Sequence, residues 1–182
     1  MTSEHLTTRL ARDLDGAFEE LVRDHQDTVY GVALRLVGNA HDAEDVAQDA
    51  FVRAYRALSG WPPARIHELR VRPWLARITL NLVRNRARDR RPTEPLDHDP
   101  PARAEGGPAA TLERKDATAT WARLLASLPA RYRAPIVLRC VEGLSYAEVG
   151  EALGRPVGTV KAQVHRGLHL LRETLDSMEE PP

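Results

Sequence analysis

Four arginines in one stretch, Arg77, Arg84, Arg88 and Arg91, are the residues of this chain best suited to chemistry. At about 100° per residue they fall within about 60° of one another on a helix, opposite Leu75, Ile78 and Leu82. Guanidinium groups in such a row, roughly 5–10 Å apart, match the phosphates of a nucleic-acid strand. Asn81 lies at the edge of the row, and its amide can both donate to and accept from a base edge. Within the stretch only Asp89 opposes this charge. A plainly solvated helix face is the alternative reading. The preceding loop, Ser59 to Arg72, adds Trp61, Arg65, His67, Arg70 and Arg72. An aromatic ring among cations can stack on an unpaired base, or Trp61 can simply anchor the loop.

A second cationic window lies near the C-terminus. From Leu144 to Arg166 the chain reads as a helix-turn-helix. Small Gly150 is expected where the two helices cross, Gly154 in the turn, and Val160 as the anchor of the second helix on the first. No acidic residue occurs from Ala152 to Arg172, a span that holds Arg155, Lys161, Arg166, Arg172, His165 and His169. A helix that is cationic outside and apolar inside suits a DNA major groove.

The stretch from His41 to Phe51 has the opposite charge. Asp42, Asp45 and Asp49 share one side of a helix, with Gln48 close by. Asp42 is expected to cap the helix and to suit its N-terminal dipole. Asp49, two turns in, is left without that explanation, and an acidic face would repel DNA. It points instead to a basic protein partner. A metal site of His41, Glu44, Asp45 and Asp49 matches no strong ligand spacing, and neither a metal nor another cofactor is expected. The seven histidines are scattered, no Ser/His/Asp set converges, and Cys140 sits on an apolar stripe beside Ile136, where a buried thiol is expected. The chain should act by binding rather than as an enzyme.

These sites need elements to hold them. The chain has 182 residues with 42% hydrophobic content, enough for one large or two small domains. Its net charge of zero conceals a gradient: residues 1–60 carry −5, residues 61–92 carry +7, 93–118 carry −3 and 119–182 carry +1. One cysteine excludes an intramolecular disulfide and fits a reducing cytoplasm. No stretch reaches the roughly 20 apolar residues of a membrane span, and the N-terminus lacks the apolar core of a signal peptide. A cytoplasmic chain without membrane insertion is expected.

Residues 92–118 are rich in proline and read as an acidic linker. It separates an all-helical lobe at 14–91 from a second helical lobe at 119–178. In the first, Phe18, Leu21, Val22, His25 and Val29 recur at helical spacing up to a stop at Gly38-Asn39. Ala43 to Leu58 carries a second stripe, and a third helix starts near Pro73. In the second lobe, Trp121, Leu124, Leu125 and Leu128 form one stripe, and Tyr132, Ile136, Val137 and Cys140 another. No stretch alternates long enough for a strand, so the fold class is all-α: two small helical domains joined by a Pro-rich linker.

Asp42-Ala-Glu-Asp-Val-Ala-Gln-Asp-Ala-Phe-Val-Arg-Ala-Tyr55, Pro73-Trp-Leu-Ala-Arg-Ile-Thr-Leu-Asn81, Leu128-Pro-Ala-Arg-Tyr-Arg-Ala-Pro-Ile-Val-Leu-Arg139 and Gly158-Thr-Val-Lys161 occur in that order. Over residues 14–176 this series resembles the bacterial sigma factors of the extracytoplasmic-function type, group 4. The resemblance implies a region 2 bundle and a region 4 helix-turn-helix. It implies that Asp42, Glu44, Asp45, Gln48, Asp49 and Phe51 dock on the β′ coiled coil of core RNA polymerase. It implies that the loop 59–72, with Trp61, captures a base flipped from the −10 element of promoter DNA. Arg77, Asn81, Arg84, Arg88 and Arg91 would hold the melted strand. The second lobe would sit on the β flap, with Arg155, Thr159, Lys161, Ala162, His165 and Arg166 at the −35 element. The linker would thread toward the RNA exit channel. A cognate anti-sigma factor is a further implied partner. The family commonly has Ser-Arg where Ala162 and Gln163 stand, and Ala where Gly150 stands, so the −35 preference does not carry over.

Two other readings remain at this stage. A stand-alone dimeric helix-turn-helix regulator explains the second lobe but neither charged helix of the first. A metal-dependent phosphodiester enzyme would use the acids at 41–49.

Overall fold

Asp13 starts the first long helix: its carboxylate accepts a hydrogen bond from the Gly16 N–H at 3.1 Å. The computed structural model describes residues 3–89 and 121–179; the linker 92–118 and Arg91 lie outside the described residues. Among the described residues every regular element is helical and there is no strand. In chain order these are α1 (Ser3–Arg12), α2 (Leu14–Val37), α3 (Ala40–Ser59), α4 (Pro63–His67) and α5 (Val71–Asp89). After the linker come α6 (121–127), α7 (Ala130–Ile136), α8 (Tyr146–Leu153) and α9 (Val157–Glu179).

Gly38 ends α2 in the left-handed region at φ 85°, and its N–H bonds to the carbonyl of Leu34. Asn39 then caps α3 by accepting from the N–H of Asp42 at 2.9 Å. Asp42 is therefore the third helical residue of α3 and not its cap, which corrects the expectation from sequence. α2, α3 and α5 pack as a bundle around Leu21, Val29, Ala33, Val46, Ala50, Ala54, Leu58, Leu75 and Leu82. Helix α1 closes one end with buried Leu6 and Leu10. Helix α1 thus packs on the first lobe from ahead of residue 14; its two leucines one turn apart are too few to reveal a period. The third long helix begins at Val71, with Pro73 buried in its first turn, where a missing N–H costs nothing.

In the second lobe α7 runs into a π-helical turn, Val137–Val141, whose Glu142 N–H reaches the Val137 carbonyl at 3.0 Å. This wider turn shifts the helical phase. Val137 and Leu138 are buried, whereas Cys140 is exposed, contrary to the buried thiol expected from the stripe. Trp121 is 55% exposed and also leaves its expected stripe, while Leu124, Leu125 and Leu128 are buried. Arg133 donates to the carbonyls of Ala126 and Leu128 and so closes the C-terminal end of α6.

Ser145 and Glu148 form a capping box at the start of α8. Gly154 follows α8 at φ 64°, and Val160 and Val164 of α9 pack inward. A Cβ at Gly150 would stand 2.8 Å from the Arg155 carbonyl oxygen, so the small residue lets the turn fold back onto α8. The two lobes share one apolar cluster: Val32, Ala76 and Leu80 pack with Leu138, Leu144, Val149 and Leu153.

Candidate nucleic-acid and protein interfaces

α5 presents three distinct faces. Leu75 and Leu82 turn into the bundle, and Ala76 and Leu80 turn into the shared cluster. Arg77, Asn81, Arg84 and Arg88 are exposed. No carboxylate among the described residues lies within ion-pair distance of these three arginines. Arg84 reaches the Asn81 carbonyl oxygen at 3.5 Å and Arg88 that of Asn85 at 2.7 Å. Among the described residues the row is thus a cationic surface whose charge no paired carboxylate cancels, which suits phosphate binding.

Trp61 is half-buried. Its ring packs against Trp74 with centroids 5.3 Å apart, and the Arg65 guanidinium stands 3.9 Å above it. Trp61 therefore anchors the segment, with Arg65 on its open side. The sequence predicts a loop over 59–72, but α4 occupies its centre and buries Ile66.

The acidic helix is less free than its sequence suggests. Asp42 is 7% exposed and cannot face a partner as expected. Its carboxylate meets the Asn39 amide at 2.5 Å and Arg86 at 3.4 Å. Arg86 also bonds Asp45 at 2.5 Å. No motif in the sequence singles out Arg86, although on the α5 wheel it falls on the bundle side, away from the arginine row. Glu44, Gln48 and Asp49 are exposed, and Phe51 is half-buried. Beside Phe51 lies an open groove of about 270 Å³, lined by Phe18, Phe51, Val52, Tyr55 and Arg56. Val52 and Tyr55 are exposed, and Tyr55 donates to Asp15 at 2.5 Å, which pushes its phenol up from its ordinary range. An acidic ridge thus borders an apolar groove, a combination suited to a protein partner with basic and apolar side chains.

On α9, Thr159, Lys161, Ala162, His165 and Arg166 are exposed, while Arg155 in the turn is half-buried. Lys161 stands 5.7 Å from the Tyr146 ring, which Arg139 also covers at 4.9 Å. Arg155 donates to the Gln163 side-chain oxygen at 2.8 Å.

Polar contacts rim the seam between the lobes. Arg70 pairs with Glu151 at 3.0 Å and Glu148 at 3.5 Å. Arg72 donates to the Glu142 carbonyl at 2.6 Å, and Arg35 pairs with the Glu142 carboxylate at 3.4 Å. A cavity of about 10 Å³, room for about one water, lies among His25, Thr28, Arg72, Thr79, Leu138, Glu142 and Leu144. Burial lowers the His25 pKa and raises that of Glu142. None of these cross-lobe pairs was anticipated, because partners 70–107 residues apart leave no periodic trace.

No group of three or more potential metal ligands is present among the described residues, and no helix there is long and apolar enough to cross a membrane.

Residues 21–93 match the family described as Sigma-70 region 2, and residues 119–171 match Sigma-70, region 4. The ECF RNA polymerase sigma factor SigW of Bacillus subtilis is 36% identical over 171 residues, covering 87% of this chain and 89% of that protein. SigE of Mycolicibacterium smegmatis is 40% identical over 163 residues; the match takes in 87% of this chain but 62% of that longer protein. The sigma-E factor of Escherichia coli K12 is 31% identical over the whole chain and 96% of its own length. Among solved structures, CnrH in complex with the cytosolic domain of CnrY superposes with a TM-score of 0.72 at 28% identity, over 96% of this chain and 97% of that one. RpoE of Bartonella quintana, solved with the anti-sigma factor NepR, shares the fold at a TM-score of 0.68 and 22% identity, over 87% of this chain and 96% of that one. With both regions matched in order and whole-length relatives at this identity, the chain belongs to the extracytoplasmic-function RNA polymerase sigma factors, the alternative sigma factors that direct transcription initiation.

Proposed function

We propose that this chain divides the work of initiation between its lobes and acts by binding alone, in the cytoplasm, without a cofactor or metal. Residues 14–91 form the unit that docks on core polymerase and opens the −10 element. Residues 92–118 link it to residues 119–178, which read the −35 element from the β flap. The region 2 and region 4 matches follow one another with only residues 94–118 between them, which supports assignment to group 4.

The observation that carries this reading is the segregation of charge in the first lobe. Arg77, Arg84 and Arg88 stand exposed on α5, and Glu44, Gln48 and Asp49 stand exposed on α3. The cationic row, with Asn81 and in sequence Arg91, holds the melted strand. The acidic ridge, with Asp45 and Phe51, meets the β′ coiled coil. Asp42 contributes from inside by holding Arg86 and so bracing α3 against α5. Trp61 supports the base-capturing segment from below. In the second lobe Thr159, Lys161, Ala162, His165 and Arg166 face the major groove, with Arg155 beside them.

The −10 and −35 elements are separate sites along promoter DNA, which rises about 3.4 Å per base pair. α5 and α8 are in contact in this structure, with Arg70 on Glu151. The lobes must therefore part before both elements are held, and core polymerase supplies the separated docking points. CnrH was solved with the cytosolic domain of CnrY. An anti-sigma factor that holds the lobes together would keep this chain inactive.

The test is a pair of measurements on Arg84→Ala/Arg88→Ala. Open-complex formation by the holoenzyme should fall at least tenfold, while binding to core polymerase stays within twofold. Equal losses in both would refute the assignment of the two faces.

A further inference from the structure

A single hydrogen bond at the helix-turn-helix limits what α9 can select. Gln163 is half-buried on the flank of the reading face, about 40° from Thr159 and 60° from Arg166 at 100° per residue. Its side-chain oxygen accepts from Arg155 Nη1 at 2.8 Å. The origin of that guanidinium is well fixed. The Arg155 N–H bonds the Gly150 carbonyl at 2.9 Å, and Pro156 follows directly. Gly150 leaves room for the Arg155 carbonyl, which would stand 2.8 Å from any Cβ there. The acids of α8 are engaged elsewhere: Glu148 with Ser145 and Arg70, Glu151 with Arg70.

A free glutamine pairs with adenine by donating to N7 and accepting from the N6 amino group. Here the accepting oxygen already carries a guanidinium. The Gln163 amide NH₂ and the other Arg155 N–H groups are all donors, and the one lone pair left on the Gln163 oxygen sits beside a cation. An adenine amino group brought to this pair meets a cation on the oxygen it needs. Guanine N7 and O6 meet donors.

We propose that Arg155 and Gln163 act together as a specificity determinant, a donor-rich fork that favours guanine and disfavours adenine at one position of the upstream promoter element. The inference rests on the reading that α9 enters the major groove. It is tested with holoenzyme assembled from the full chain and core polymerase, by selection from promoter-length duplexes randomised over both elements. The unsubstituted chain should prefer guanine at one upstream position. Arg155→Ala frees the glutamine oxygen and should shift the adenine-to-guanine ratio there about tenfold toward adenine, with other positions unchanged. Gln163→Met should flatten the preference at that same position, so a poorly folding first variant leaves the idea open to test. If Arg155→Ala lowers recovery of all sequences alike, or Gln163→Met leaves the preference intact, the proposal is overturned. An unsubstituted holoenzyme with no upstream preference would overturn the major-groove reading as well, which distinguishes the two failures.

Discussion

Leu80→Asp should open the molecule without unfolding either lobe. Leu80 is 2% exposed, and on the α5 wheel it points away from the bundle core at Leu75 and Leu82. Its cluster holds Ala76 and Val32 from the first lobe and Leu144, Val149 and Leu153 from the second. Removing a buried leucine forfeits about 1.5–3 kcal/mol of apolar burial. Burying the new carboxylate would cost several kcal/mol more, a cost that parting the lobes avoids. At about 1.4 kcal/mol per tenfold, the closed population should fall about 10- to 100-fold relative to the open one. The ion pairs at the rim contribute less. Arg70 is about half exposed, and such pairs are worth at most about 1 kcal/mol. Arg70→Ala should therefore shift the balance no more than about fivefold.

Small-angle scattering and far-UV circular dichroism read this out together. A compact chain of this length has a radius of gyration near 16 Å. The Leu80→Asp chain should exceed the unsubstituted one by several ångström while keeping its helical signal. An unchanged radius in a helical variant would show that Leu80 does not hold the seam. Lost helicity would show that Leu80 belongs to the core of the first lobe.

Acidification should act on the same seam. His25 lies in it and is held below its ordinary value of 6.5, by burial first, with Asp24 opposing and Arg72 adding to the shift. A depressed histidine pKa means that the open state binds the proton first. The closed state is then fully favoured above about pH 6.5 and weakens as pH falls below it. Glu142, raised by burial against the pull of Arg35 and Arg72, works in the opposite direction at lower pH. Between pH 7.5 and 6 the scattering radius should rise, and His25→Asn should abolish the rise. Gly150→Ala should lower the melting temperature: helix propensity gains about 1 kcal/mol, but a Cβ at 2.8 Å from a backbone carbonyl costs about 1–3 kcal/mol, and the overlap wins. Arg86→Ala removes the cation that Asp42 and Asp45 share and should cost about 1–2 kcal/mol in urea unfolding, with DNA contacts unaffected.

Local signals carried most of the fold. Gly38 and Gly154 both adopt the left-handed backbone that glycine permits, so helix ends read from sequence coincide with those observed. The Ser145–Glu148 capping box is a four-residue signature and marks the start of α8 directly. The misses have physical causes of another kind. Cys140 left the core because a π turn alters the 3.6-residue phase on which the stripe was drawn. Asp42 looked like surface charge because its partner Arg86 lies 44 positions later, and charge spacing on one helix says nothing about the other. Trp121 has a helical neighbour pattern, yet among the described residues it stays 55% exposed.

The seam was the least legible feature and bears most directly on regulation. α5 carries its cationic row beside an apolar strip, Ala76 and Leu80, that is buried against the second lobe. Opening therefore uncovers apolar surface in the step that frees the DNA-binding lobes to spread. If the closed form is favoured by about 2–3 kcal/mol, apparent affinity for a two-element promoter falls by about 30- to 150-fold, the inverse of the open fraction. A partner that binds the open arrangement at two places removes that penalty and raises the effective concentration of each lobe at its element. On the proposed function, the same packing that buries this strip would also keep the free chain off two-element promoters until such a partner is present.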